Sequence, residues 1–512
     1  MTAAGRGRRT FGVALGVALV SAGALAPQSP PDRSIALIHA SVVDVEQGRI
    51  LFDHTVLTAG GRIVSVSPSG PARWPAGIQV VNIAGHFVIP GLWDMHVHEQ
   101  GGGWYDSLGT TSGARRDALT YFRTLFLAAG VTGVREMGGD LAALRAAEAD
   151  AARAGSLRPR TVLTGEKLGQ RAVVPGAPIR LDSDPEVRRA VRMLRESGAA
   201  HVKLAPGLSP AQVLAVLDAC RAERIRCAGH APGGVNIADA ASRGLGSLEH
   251  LFGFAEQTSS LGADRIESWR TRQARPTLLQ RVLFKLHLLR RPPADLDDSV
   301  LASHDSAAAD GLFRRMASAD LWVTPTLTLS EMMMPASPPD RVARDQSLLM
   351  HQLPGVFVVD DRSAAARARA IRTRALNRRL VRGLSGAGVG LLAGTDTPLY
   401  AVPGYSLHGE LILLQEAGLT PLQALRTATL EPARYLRAPD SLGSVAAGRV
   451  ADLVVLRANP LADVSATREV EMVMTRGRLL RRRELDALVL QGREALTRVR
   501  TALGRTGPIA PH

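Results

Sequence analysis

HFVIPGLWDMHVHEQ, residues 86–100, is an apolar run that ends in two histidines one residue apart, His96 and His98. The run is strand-like. Alternate residues of a strand share a face, so the two imidazoles point the same way, with Cα atoms about 7 Å apart. Such a pair can hold one metal ion. It can also arise by chance, and the spacing alone leaves both readings open.

Seven more strand-like runs follow before residue 440: GVTGVREMG, RTVLTGEKLG, AHVKLAP, IRCAGHAP, SLEHLFGF, WVTPTLTL and VGLLAGTDTP. With FVIPGLWDMHVH they make eight. Ala/Leu/Arg-rich stretches with helical spacing separate most of them, at 114–129, 141–154, 185–197, 209–223 and 362–385. This alternation predicts an α/β protein, a (β/α)8 TIM-type barrel over 86–440. Two helical runs, LHGELILLQEAG and TPLQALRTATLEPARYL, close it. Residues 255–320, between the sixth and seventh strands, read as a basic helical insertion. Its default reading is a solvated amphipathic face; a lid or partner surface is the alternative. Short alternating strands broken by glycines recur only at 33–85 and 441–482, which predicts a small composite β-sandwich built from the N- and C-terminal segments. Residues 483–512 read as a basic tail, helical at first.

The 512 residues are 46% hydrophobic, enough for one large core or two to three smaller ones. The formal charge is +15, yet aromatics are only 4% and no basic block is interleaved with them, which argues against nucleic acid as a partner. Of 62 Lys plus Arg, lysine stands only at 167, 203 and 285, leaving 59 arginines. Arginine thus serves wherever either residue would do. Cys220 and Cys227 give no disulfide framework and no metal motif. A bridge between them needs an oxidising compartment, and a pair of buried free thiols is the expectation.

The N-terminus pairs Arg6, Arg8 and Arg9 with an apolar stretch from Phe11 to about Ala26, followed by prolines. That layout predicts a signal peptide over 1–26, with RRTF resembling a twin-arginine signal, and export to the periplasm or the extracellular space. An uncleaved anchor is the alternative. No other apolar run is long enough to span a bilayer, so no integral span is expected in the mature chain. No cysteine follows the apolar stretch, which excludes a lipoprotein.

The polar residues at the strand ends form a set. His96 and His98 end the first strand, Lys203 lies in the fourth, His230 ends the fifth, His250 the sixth and Asp396 the eighth. In such a barrel these ends converge on one mouth. Imidazole and carboxylate suit zinc and its neighbours. A protonated lysine is a poor ligand. It becomes a good one when CO2 adds to the amine, giving a carbamate whose two oxygens can bridge two metals. Arginine cannot supply that chemistry. A lysine kept inside an apolar strand of so lysine-poor a chain therefore points to function.

The motifs PGLWDMHVH, GVTGVREMGG, HVKL, GHAPGG, SLEHLFG, LLAGTDTP, LHGELILLQEAGLTPLQALRTATLEPAR and GSVAAGRVADLVVL resemble the amidohydrolase superfamily. The likeness is greatest to its imidazolonepropionase-like and metal-dependent Xaa-Pro dipeptidase-like branch. It covers about 35–480 and implies a barrel joined to a small β-sandwich. It further implies two divalent metal ions, zinc being expected. His96, His98 and Asp396 would hold the first, His230 and His250 the second, and a CO2-derived carbamate on Lys203 would bridge them. A bridging hydroxide with Asp396 as general base would then hydrolyse an amide bond.

Small carboxylate-bearing amides, such as dipeptides or N-acyl amino acids, are the expected substrates. Tyr105, with Trp104 beside it, Arg135 and Arg171 are candidate substrate contacts in the loops and strand ends. A small molecule is the expected partner, with a homo-oligomer as a further option. A lactonase or esterase, or a mononuclear deaminase on the same fold, is the alternative activity. A non-catalytic binding protein is the third reading, against which all six metal-site residues count. His39, His54, His86, His201, His287, His304, His351 and His512 carry no motif or lie away from the mouth. His408 and Glu410 begin a helix after the eighth strand, on its surface or in support of the site.

Overall fold

In the computed structural model the opening stretch is two strands, not one. Phe87–Pro90 pairs with Ile35–Asp44 and Leu453–Leu456, whereas Leu92–Val97 pairs with Val131–Glu136. Gly91 is the pivot. Its N–H donates to the Asp452 carbonyl at 2.8 Å, and a Cβ there would lie 2.0 Å from Thr132 Oγ1. Only glycine allows the chain to cross between sheets at this approach.

The structure describes residues 34–71, 74, 76–100, 108, 112–169, 171–174, 177–262, 266, 298–334, 346–348, 363–398 and 401–504. The expected signal segment 1–26, Trp104 and Tyr105, residues 263–265 and 267–297 of the insertion, and the chain end 505–512 lie outside them. So do the side chains of 171–180.

Strands from both ends of the chain join one sheet. Its order is Arg478–Arg481, Val470–Thr475, Leu453–Leu456, Phe87–Pro90, Ile35–Asp44, Arg49–Ala59, Arg62–Pro68, with Gln79–Asn82 also paired to Ile35–Asp44. Leu37, Val42, Val56, Ile63, Val88 and Leu453 pack into one apolar cluster. The composite region expected at 33–85 and 441–482 therefore gains Phe87–Pro90, and its strands are joined in a single ladder.

The middle of the chain forms two parallel sheets. Leu92–Val97, Val131–Glu136 and Arg160–Leu163 make one; Lys167–Leu168, His201–Leu204, Arg226–Gly229, Leu245–Glu249, Trp322–Thr324 and Gly390–Leu391 make the other. The sheets meet at two joints, one crossed by a single backbone bond and the other by three, among them Asp396 N–H to the His96 carbonyl at 2.8 Å and His98 N–H to the Thr397 carbonyl at 2.7 Å. Ala200 N–H donates to the Leu163 carbonyl at 2.7 Å, and Met95 N–H to the Ala393 carbonyl at 2.9 Å. The strands follow the order expected of an eight-stranded barrel, but their ladder is not a closed ring. The physical reason lies after Leu391. Gly394 is pressed against His96, and Asp396 takes φ 57°, so the eighth segment leaves strand geometry.

Helices begin where the sequence provides caps. Ser209 and Thr420 make capping boxes with Gln212 and Gln423, and Asn236 caps Ile237–Ser242. Three readings change. WVTPTLTL is a strand only to Thr324, with a helix from Leu327. TPLQALRTATLEPARYL is two helices, Pro421–Thr427 and Leu430–Tyr435. Helix Ser306–Ser318 packs beside the barrel helices Ile237–Ser242 and Ala364–Gly386, so the inserted part is shorter than 255–320. Cys220 and Cys227 form a disulfide with Cα atoms 6.1 Å apart, which corrects the expectation of free thiols. Helix Pro210–Ala222 returns directly to strand Arg226–Gly229, and this brings the two together.

The basic tail is docked. Helix Arg482–Ala502 buries Leu485, Ala495, Leu496 and Val499, and lies along helix Ser112–Ala128. Among the described residues no helix is long and apolar enough to cross a membrane.

Candidate metal centre

The alternation Asp94-x-His96-x-His98 puts three polar side chains on one face of Leu92–Val97 and its extension, and all three are buried. Asp396, at the irregular end of the eighth segment, stands among the histidines. Its Oδ1 lies 3.3 Å from His96 Nε2 and 3.1 Å from His98 Nε2, and its Oδ2 lies 3.9 Å from His250 Nε2. The His250 ring is 4.9 Å from that of His96 and 5.0 Å from that of His230. His96, His98 and Asp396 offer ligand atoms all within 4.8 Å of one another. Lys203 is wholly buried and interacts electrostatically with His96, His230 and Asp396. The structure thus brings all six expected residues together.

Among the described residues the inner atoms of this group have no hydrogen-bond partner. His96 Nε2, Lys203 Nζ, His230 Nδ1 and Asp396 Oδ1 are all buried and unsatisfied. Buried polar groups are normally paired, so orphans converging on one point fit a metal that would bind them. The outer atoms, by contrast, are held. His96 Nδ1 bonds Glu249 Oε2 at 2.8 Å, and His250 Nδ1 bonds Thr326 Oγ1 at 2.6 Å. Thr326 Oγ1 donates to the Pro325 carbonyl, so it accepts from His250. Both bonds place the ring proton on Nδ1 and leave the Nε2 lone pair facing inward. His250, Thr326 and Asp396 take φ of 67°, 46° and 57°, unusual for residues with a Cβ. Strained backbone of this kind persists where its surroundings hold it, typically at functional sites.

Electrostatics favour ligand forms. Burial, then the charge of Lys203, holds His96 and His230 well below the usual imidazole range, and burial brings His250 down to about 4. Burial brings Lys203 down to about 7, which makes the neutral amine accessible. Burial would raise Asp396, but the charges of His96, His250 and His98 hold it well below the carboxylate range.

The amidohydrolase family profile matches residues 87–480. The chain belongs to the amidohydrolase family. Solved structures of similar fold include bottromycin amidohydrolase (24% identity, 90% of this chain and 91% of that one, TM-score 0.62). A prolidase complexed with N-methylphosphonate-L-proline matches at 22% identity, 88% and 99% coverage and TM-score 0.59. The A. niger ochratoxinase matches at 18%, 88% and 96%, with TM-score 0.59. At these identities the likeness shows the fold. Adenine deaminase 2 of Bradyrhizobium sp. (strain ORS 278) is 32% identical over 80 residues, a match spanning 15% of this chain and only 12% of that protein.

Arg135, expected at the substrate, is corrected. In this amidohydrolase it is fully buried, with every donor turned inward. Nε donates to the Met95 carbonyl at 2.6 Å, Nη1 to Ser247 Oγ and Tyr435 OH, and Nη2 to Glu249 and Thr324 Oγ1. It holds Glu249, which holds His96. Arg171 begins strand Arg171–Val174, and its side chain, like Tyr105, is outside the described part. His201 stacks on Tyr435 at 5.3 Å, away from the metal ligands.

Sequence reasoning missed the supports. Glu249 precedes His250, and Asp94 shares the His96 face; Asp94 accepts from Thr395 Oγ1 at 2.7 Å and ties the eighth segment to the first strand. Its alternation with His96 was the available signal. Glu410 is buried rather than on a helix surface. It accepts from the N–H groups of Leu327 and Thr328 and so fixes the turn that carries Thr326. His408 bonds Thr467 Oγ1 at 3.1 Å. A cavity of about 730 Å³ between helices Ser112–Ala128, Leu141–Arg153 and Arg482–Ala502 is lined by none of the six residues.

Proposed function

We propose that the chain is an exported, metal-dependent hydrolase of amide bonds in small carboxylate-bearing substrates, such as dipeptides or N-acyl amino acids. One observation carries this reading: Lys203, a buried amine with no hydrogen-bond partner among the described residues, sits among four histidines and an aspartate in a chain with only three lysines. As a CO2-derived carbamate Lys203 would supply oxygen ligands to two divalent ions, zinc first among them. His96, His98 and Asp396 would hold one ion, and His230 and His250 the other. When bound, the two ions supply a water acidified to near neutrality and a Lewis acid for the substrate carbonyl.

The chain's own residues do the rest. Glu249 and Thr326 fix the tautomers of His96 and His250, so that their Nε2 atoms face the reaction. Among the described residues Asp396 is the one carboxylate that touches all three of His96, His98 and His250. As general base it takes a proton from the attacking water and returns it to the leaving amine nitrogen. Phe252, 46% exposed, lies 5.1 Å from the His250 ring and presents an apolar wall to the substrate. The Cys220–Cys227 bridge supports export, since such bonds persist in oxidising compartments.

The test is a screen of dipeptides, N-acyl amino acids, lactones and aryl esters with wild type and Lys203→Ala, alongside elemental analysis. The expected outcome is turnover of dipeptides or acyl amino acids by wild type, about two metals per chain, and loss of most of both in the variant. Turnover of lactones or esters alone would move the enzyme to another substrate class. Ammonia released from a purine would make it a deaminase.

A further inference from the structure

We propose that Lys167 is the anion-binding group of the site, its ammonium receiving the free carboxylate of the substrate; the inference rests on the amide-hydrolase reading above and names the residue that selects its substrates. Lys167–Leu168 is a two-residue strand at one joint of the barrel. It pairs in parallel with His201–Leu204, Lys167 opposite Lys203 and Leu168 opposite Leu204. Residues paired across a parallel ladder project to the same side. Lys167 therefore leaves the sheet on the side that carries Lys203, and the two charges interact.

The two lysines differ in depth. Lys203 is buried; Lys167 is half-buried and keeps contact with solvent. The stem of Lys167 runs over Gly138, just past the end of strand Val131–Glu136. A Cβ on Gly138 would meet Lys167 Cε at 2.3 Å and Cγ at 2.7 Å. The glycine leaves a channel for an unbranched chain, and the compact ammonium at its end is a point donor rather than a planar fork.

Among the described residues Lys167 has no carboxylate partner. Its neighbour Glu166 is turned to the backbone at Leu141, at the start of helix Leu141–Arg153. Several partly buried arginines are matched by carboxylates: Arg123 and Arg158 by Glu148, Arg160 by Asp452, Arg374 by Glu331. A half-buried cation beside a centre built for further cations is unfavourable unless something negative joins it. A substrate carboxylate does so. Neighbouring strands are about 4.8 Å apart, so that carboxylate belongs close to the bond cleaved. It fits a bond that precedes a C-terminal residue, as in a dipeptide or an N-acyl amino acid, and not an internal peptide bond or a neutral amide.

The test uses N-methanesulfonyl-L-leucine, whose sulfonamide resists hydrolysis, and its neutral methylamide. Leucine suits the apolar wall at Phe252. Binding of each to the metal-containing protein is measured by calorimetry, for wild type, Lys167→Met and Lys167→Gln, with metal content checked in each. Wild type is expected to bind the acid at least about tenfold more tightly than the amide, the scale of one buried ion pair. Both variants are expected to lose that preference with metal content unchanged. An undiminished preference in either variant, or none in wild type, overturns the assignment. Carboxylate preference in a protein that hydrolyses no amide would sink the amidase reading and leave Lys167 standing. Amide hydrolysis without the preference would do the reverse.

Discussion

Two polar layers lie back to back between the parallel sheets, and they obey opposite rules. Behind the histidines, Arg135, Glu249, Ser247, Thr324 and Tyr435 are buried and bonded to one another, with no donor of the guanidinium left over. In front of them, His96 Nε2, Lys203 Nζ, His230 Nδ1 and Asp396 Oδ1 are equally buried and have no hydrogen-bond partner among the described residues. Residue types and burial are alike in the two layers, so neither separates structure from function. Saturation does. A closed network rigidifies, while an open one converging on a point is waiting for a ligand. Glu249 joins the two layers, gripped by Arg135 on one side and gripping His96 on the other.

Breaking the closed layer should have the largest effect. Arg135→Met leaves Glu249 as a buried charge without its cation, and loss of one partner of a buried pair costs about 3–5 kcal/mol. Burial would raise the Glu249 carboxyl, but Arg135, then Lys203 and His96, hold it well below its usual range. Denaturant unfolding of metal-free protein is expected to show a loss of that size, or no soluble protein at all. Arg135→Lys should recover little, because an ammonium cannot span Met95, Ser247, Glu249 and Thr324 together. A normally stable Arg135→Met that is merely inactive would erase the distinction between the layers.

The open layer should behave the other way. Lys203→Met removes no hydrogen bond and relieves a buried amine of its desolvation cost. Metal-free Lys203→Met is therefore expected to melt at or above the wild-type temperature. The same variant is expected to lose most bound metal and nearly all turnover. Thermal melts with and without chelator, beside elemental analysis, separate the two effects. A metal-free variant as unstable as Arg135→Met would mean that Lys203 belongs to the scaffold.

The sequence carried one of these layers better than the other, for a physical reason. Strand order and strand ends can be read from alternation and turn residues, and the ends of strands one, four, five, six and eight are where the six expected ligands stand. Which way a strand-end side chain tilts cannot be read so. Arg135 lies one residue from a strand end, like Lys203, and was expected at the substrate; its chain instead runs back under Met95 to Tyr435, 300 residues away in sequence. Gly91 hides a change of sheet inside one run, because Phe87–Pro90 and the start of Leu92–Val97 on either side of it are both apolar. The scarcity of lysine pointed to Lys203 and applied equally to Lys167, but the pairing of the two depends on a register across the joint.

The closed layer has one exception, and it gives the smallest effect. His201 is buried and stacked on Tyr435, with Nδ1 unpartnered, and Arg135 and Arg226 lie over the same Tyr435 ring at 5.1 Å and 4.8 Å. Burial first, and then these two cations, bring its imidazole down to about 3. The folded state thus refuses a proton that the unfolded chain accepts near pH 6.5. The stability His201 contributes as a neutral ring is fully present above that pH. It is lost as pH falls toward 3, by at most about 1.4 kcal/mol per unit. His201→Phe keeps a ring against Tyr435 and removes the titration. Metal-free wild type and His201→Phe are expected to match at pH 8 within the packing difference, and the variant should lose less stability between pH 6 and 4. Equal slopes in denaturant titrations over that range would show that acid enters the closed layer elsewhere. A steeper slope in His201→Phe would mean that the imidazole is charged in the folded protein and belongs with the ligands, not with the scaffold.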